Sequence, residues 1–140
     1  MASVDDVRRL VALDHGLATL ATVRADGNVH LSLVNAGVID HPRDGEPVAA
    51  FVSRQGTRKF ANLAERPHAT LQWRAGWAWV AAEGTVEVLG PGTKGLPELL
   101  RAVFTAAGGQ HEDWAEFDRV MAAEQRAAVL LRLGRIYLNP

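Results

Sequence analysis

Ser53-Arg54-Gln55-Gly56-Thr57-Arg58-Lys59-Phe60-Ala61-Asn62-Leu63-Ala64-Glu65-Arg66-Pro67 is a strand handing over to a helix through a basic turn. The apolar run Val48 to Val52 ahead of it reads as a strand, and a helix follows from about Thr57 to Glu65. Phe60, Leu63 and Ala64 predict the buried stripe of that helix. Arg66-Pro67 closes it, because the residue before a proline is pushed out of the α region. Arg54, Arg58 and Lys59 place three cations within six residues. They fall where first-turn N–H groups lack intrahelical partners and the helix macrodipole is positive, so the turn is a candidate seat for a phosphate.

The chain as a whole is close to neutral, with a net charge of −1 over 140 residues and a pI near 6.5. The local excess of charge therefore marks a small anionic ligand rather than a broad electrostatic face, and nucleic acid is disfavoured as a partner. At 48% hydrophobic and 22% charged, residues 1–140 predict one globular domain with a real core. The absence of cysteine rules out disulfides, thiolate metal sites, iron–sulfur clusters and cysteine nucleophiles. It also suits a reducing compartment. No apolar run approaches the roughly 18 residues of a membrane span. The start Met1-Ala2-Ser3-Val4-Asp5-Asp6 has neither the basic flank nor the apolar core of a signal peptide, and a cytoplasmic location is expected.

Working outward, Ser3 and Asp6 resemble a capping box, and Val4, Val7, Leu10 and Val11 recur at helical spacing to about Asp14. Leu17 to Val23 reads as a strand ending in a turn at Asp26-Gly27. Val29, Leu31 and Leu33 then alternate with His30 and Ser32, completing an antiparallel pair. His41-Pro42-Arg43-Asp44-Gly45 is a turn. Ala69 to Trp73 and Trp77 to Leu89 flank Arg74-Ala75-Gly76 as a second hairpin, and Trp73, Trp77 and Trp79 share a parity that predicts a common face able to stack on a flat ring. Leu96 to Ala107 and about Glu112 to Ala127 read as helices, and Val129 to Leu138 as one closing strand. Six or so mostly antiparallel strands with short intervening helices predict a mainly β fold, a barrel with peripheral helices.

Other chemistries find little support. Gly90-Pro91-Gly92-Thr93-Lys94-Gly95 matches G-x-G-x-x-G, but no parallel strand follows and Pro91 removes a backbone donor, so it reads as a strand-to-helix turn. The serines lie outside any G-x-S-x-G elbow, and the five histidines are scattered at spacings that suit no metal motif. His111 stands beside Glu112, Asp113 and Trp114, where acids are explained by a helix start. No general acid emerges. Asn35, ending an apolar strand segment, offers an amide with donors and an acceptor suited to the edge of a flavin-like pyrimidine ring.

Leu20-Ala21-Thr22-Val23-Arg24-Ala25-Asp26-Gly27, then Leu33-Val34-Asn35, then Arg58-Lys59-Phe60-Ala61-Asn62-Leu63-Ala64-Glu65-Arg66-Pro67-His68-Ala69-Thr70 resembles the pyridoxamine 5'-phosphate oxidase-like split β-barrel superfamily. Gly76-Trp77-Ala78-Trp79, Ala82-Glu83-Gly84 and His111-Glu112-Asp113-Trp114 resemble its flavin/deazaflavin-dependent oxidoreductases, B branch. The resemblance implies a homodimer with cofactor sites at the subunit interface, binding coenzyme F-420, a deazaflavin, or in sister groups flavin mononucleotide (FMN). It places the phosphate-binding lysine on Lys59, with Ser53, Arg54, Thr57 and Arg58 around it. It places the ring against Asn35 and the backbone near Ala21 and Thr22; Trp77 and Trp79, from the tryptophan face read above, are further candidate cofactor contacts. Ala61 stands where many relatives carry a second arginine, which Arg54 or Arg126 would replace. The implied reaction is hydride transfer to a conjugated small-molecule acceptor. An FMN oxidase acting on a pyridoxamine-like amine, and a non-catalytic cofactor carrier, are the alternatives.

Overall fold

The computed structural model describes residues 1–139, arranged as α1 (Val4–Leu13), β1 (Leu17–Val23), β2 (Val29–Asn35), β3 (Gly37–Asp40), β4 (Pro47–Arg54), α2 (Arg58–Glu65), β5 (His68–Ala75), β6 (Ala78–Leu89), α3 (Leu96–Ala106), α4 (Trp114–Ala123), β7 (Arg126–Arg132) and β8 (Arg135–Leu138). The strands form one antiparallel sheet in the order β2-β1-β5-β6-β7-β4-β3, with β8 pairing to β6. The sheet curls without closing, the split-barrel arrangement.

The long strand β6 makes the curl. Its first part pairs with β5 on one edge and β8 on the other, while Val86–Leu89 pairs with β7. Gly84 sits where partners change. A Cβ there would land inside van der Waals contact of the Arg132 carbonyl oxygen, so the bend needs a residue with no side chain.

The inner face of the sheet packs Leu20, Phe51, Leu71, Trp73, Val80, Val129 and Leu131 against Val7, Leu10 and Val11 of α1. On the other side, Val48 and Ala50 of β4 and Ala128 and Leu130 of β7 pack under Leu96, Leu100, Val103 and Phe117 of α3 and α4. Covered on both faces, β4 and β7 are continuously apolar, whereas β1 alternates buried and exposed positions. On β2 the alternation points the other way: Leu31 and Leu33 are 63% and 67% exposed, and His30 and Ser32 face inward.

Several expectations are corrected. The stretch Val129 to Leu138 is two strands, broken at Leu133-Gly134, where the Gly134 N–H donates to the Arg132 carbonyl at 2.9 Å. Helix α4 stops at Ala123, because Gln125 has a φ of +50° and the chain then enters β7. β3 is an additional short strand, registered Gly37 opposite Ala50. The tryptophans do not share a face. The turn pairs Ala75 with Ala78, Trp73 with Val80 and Arg74 with Trp79, so residues of equal parity on the two strands lie on opposite faces. Trp73 is buried, its indole N–H donating to the Ala36 carbonyl at 2.9 Å. In α2 the buried residues are Leu63 and Asn62, with Ala64 exposed.

Candidate functional site

Helix α2 is held at three points. Thr57 caps its start, the hydroxyl donating to the Arg54 carbonyl at 3.1 Å and accepting from the Phe60 N–H at 3.3 Å. In mid-helix, the Asn62 amide donates to the Thr22 hydroxyl of β1 at 3.1 Å, both side chains buried. Beyond its end, the Arg66 Nε donates to the Val23 carbonyl at 2.7 Å. The first turn carries no acidic residue, and neither Arg58 nor Lys59 forms an ion pair among the described residues. Free N–H groups and two unpaired cations at one helix start fit a phosphate.

Arg54 is exposed and pairs with Glu124 at 3.4 Å. The same carboxylate accepts from Arg126 Nε at 2.9 Å, so one acid is shared by the two arginines expected to stand in for a residue at Ala61. Ser53 is buried. Ala21 is half-buried on the outward face of β1, and the side chain of Thr22 is spent on Asn62, leaving only its backbone for a ligand. Asn35, at the end of β2, is exposed; its Nδ2 donates to the His15 carbonyl at 3.0 Å. Trp77 is 94% exposed at the β5–β6 turn, and Trp79 packs edge-on against Tyr137 at 6.0 Å. α2 leads into β5 at His68, and the turn follows Ala75, so strand rise separates that junction from the turn by about 23 Å. The fold thus groups Ser53, Arg54, Thr57, Arg58 and Lys59 at the β4–α2 connection, with Thr22 under the helix, and leaves Trp79 beside Tyr137 and Trp77 exposed at the β5–β6 turn.

Two side-chain atoms are buried without a partner among the described residues: His30 Nδ1 and Ser32 Oγ. Both face inward on β2, opposite Thr22 and Leu20 of β1. Sequence reasoning passed over them because alternation defines two faces of a strand without saying which is inside. Their signal was the polar half of the Val29–Leu33 alternation.

Elsewhere, Gly90–Gly95 is a turn in which Gly92 and Gly95 have positive φ and Gly95 precedes α3. His111 packs among Phe104, Trp114 and Phe117, its Nδ1 accepting from the Asp113 N–H at 3.1 Å. Among the described residues no group of His, Asp and Glu is placed to hold a metal ion, and no helix is long and apolar enough to cross a membrane.

An open antiparallel sheet curled around one core, with a basic helix start at the β4–α2 connection, defines a split-barrel protein. The family model for pyridoxamine 5'-phosphate oxidase matches residues 4–139, and the chain belongs to that family. Solved structures agree on the fold. A conserved hypothetical protein from Mycobacterium tuberculosis is similar with a TM-score of 0.70 at 21% identity, covering 99% of this chain and 84% of that one. An F-420 reductase gives 0.60 at 15%, covering 89% and 92%. A pyridoxamine 5'-phosphate oxidase-related, FMN-binding protein from Nostoc punctiforme gives 0.60 at 13%, covering 96% and 79%.

Proposed function

We propose that the protein is a flavin-type oxidoreductase that uses coenzyme F-420 to reduce a conjugated small molecule, working as a homodimer in the cytoplasm. The observation that carries this reading is the unpaired pair Arg58 and Lys59 at the acid-free start of α2, a seat for the phosphate that links ring to tail. Thr57 fixes that seat by capping the helix, and Asn62 fixes the helix on β1 through Thr22. Asn35 Oδ1 has no partner among the described residues and can meet the ring edge, because only the amide nitrogen is used on His15. When bound, the deazaflavin supplies the two-electron hydride chemistry; the protein orients it and excludes water.

The dimer is supported by the outer face of the β1–β2 hairpin. Leu17 of β1 and Val29, Leu31 and Leu33 of β2, the strand that ends the sheet, are all more than 40% exposed there. A second copy laid on this face would bury it and could supply further ring-facing residues, Trp77 and Trp79 among them.

The FMN reading uses the same phosphate seat, and similarity to an FMN-binding protein favours keeping it as the alternative. Purified apo protein is mixed with each cofactor and freed of unbound ligand. A retained deazaflavin absorption band supports the proposal, a retained flavin band shifts it to FMN, and retention of neither overturns both.

A further inference from the structure

A cavity of about 380 Å³ opens between the end of β2 and the α3–α4 pair, within the size range of small-molecule sites. Its walls are apolar: Val52 from β4, Val103 and Phe104 from α3, Phe117 and Met121 from α4. The aromatic wall is held by its own packing, with Phe104 and Trp114 lying 5.1 and 5.2 Å from Phe117. Such a wall accepts a flat ring, offset or edge-on, at little cost in side-chain entropy.

Two side chains give this slot a polar address. Asn35, in the lining, turns one amide oxygen free of partners among the described residues. Arg126, also in the lining, uses Nε on Glu124, while its two terminal nitrogens have no partner among the described residues. Because Glu124 also pairs with Arg54, it does not fully neutralise Arg126, and the three groups together carry a net positive charge. A guanidinium with free terminal nitrogens presents the planar fork that matches a carboxylate.

From this arrangement we infer that the cavity binds a flat, conjugated monocarboxylate, with the ring against Phe104, Phe117 and Met121 and the carboxylate on Arg126. This deepens the proposed function by naming the acceptor class, and rests on it only in calling the ligand an acceptor. Asn35 joins the two sites, since it borders the cavity and is the residue expected at the cofactor ring.

The test uses the full chain without cofactor, with cinnamate and its uncharged isostere cinnamamide as probes and ligand-observed NMR as the readout. Cinnamate is expected to bind about tenfold more tightly than the amide, as one charge-assisted contact allows. Arg126→Gln should remove that difference by weakening cinnamate alone, Arg126→Lys should restore part of it, and Met121→Trp should fill the slot and weaken both ligands. Equal affinities for acid and amide, unchanged cinnamate binding in Arg126→Gln, or no binding of cinnamate at millimolar concentration would overturn the inference. Cofactor retention is measured separately, so loss of the cofactor reading leaves the cavity assignment standing, and the reverse.

Discussion

Asn62 and Thr22, forty residues apart in sequence, are joined by a buried hydrogen bond of 3.1 Å that locks the middle of α2 onto β1. That lock is the buried one of the three contacts that hold α2. Asn62→Leu removes the donor and leaves the Thr22 hydroxyl buried without it, which should cost about 1–3 kcal/mol. Thr22→Val in the same background removes the orphaned hydroxyl and should recover part of the loss. Urea denaturation of the two single variants and the double variant gives the coupling, and strictly additive effects would show that the bond holds nothing.

The bend in β6 makes a separate prediction. A Cβ at Gly84 meets the Arg132 backbone, which has no flexible end to yield, so Gly84→Ala should destabilise the protein by about 3 kcal/mol or more. Gly27→Ala is the control for a general loss of glycine freedom: its φ of +85° strains an added side chain, but nothing lies within 4 Å of the added carbon. A thermal melt in which the two variants lose the same stability would remove the close approach as the cause.

Much of this fold was readable because local signals agreed with tertiary demand. The Asp26-Gly27 hairpin, the helix from Thr57 and its stop before Pro67 all stand where turn chemistry puts them. The misreadings share a physical origin, since each depended on what another element covers. Ala64 had the right spacing for the stripe of α2, but Asn62 is buried because Thr22 waits beneath it. Parity alone put three tryptophans together, and the Ala75–Ala78 pairing separated them. The aromatic and arginine lining between α3, α4 and β7 is assembled from distant segments, so no local window could show the cavity. The basic start of α2, by contrast, is contiguous in sequence and was visible from it.

Acid should weaken the far side of the barrel. Glu87 on β6 accepts from both terminal nitrogens of Arg43, at 2.8 and 3.2 Å, and stands 3.0 Å from the ring of His41. Arg43 first, then His41, holds its carboxyl down at about 2, below an ordinary 4.5. Asp44, bound by Arg132, is likewise lowered to about 2 from 3.8. A depressed folded value means that the unfolded chain takes up protons first on acidification. The stabilisation is therefore complete above about 4.5 and is lost as the pH falls towards 2. Glu87→Gln should flatten that part of the stability profile, and thermal melts at steps through the window would reveal an unchanged slope if the network is inert.

Among the described residues Lys59 has no carboxylate partner to rearrange when it is removed, so Lys59→Ala is a clean probe of the proposed phosphate seat. It should weaken phosphorylated cofactor by roughly 1.5–3 kcal/mol, the range for a charge-assisted hydrogen bond, with an unaltered melting curve. Arg58→Ala, more exposed, should cost less. Equilibrium dialysis that returned the parent affinity for Lys59→Ala would take the residue out of the site.

Cofactor identity turns on the tail rather than the ring. Lys59 and the N–H groups of the first turn would serve the phosphate of either cofactor, and Asn35 either pyrimidine edge. Coenzyme F-420 continues into a long anionic tail, which FMN lacks. Arg54 shares Glu124 with Arg126, so it would hold a tail through partly neutralised, exposed charge. Such attraction is screened within about 8–10 Å at physiological ionic strength. Lengthening the tail should therefore raise affinity at low salt and do less as salt is added, while FMN affinity should change little. Titration of tryptophan fluorescence with both cofactors at low and moderate salt measures this directly. Glu124→Gln, which frees Arg54, should strengthen the tailed cofactor and leave FMN affinity unchanged. Tighter binding of FMN at both salt concentrations would instead assign the phosphate seat to a flavin.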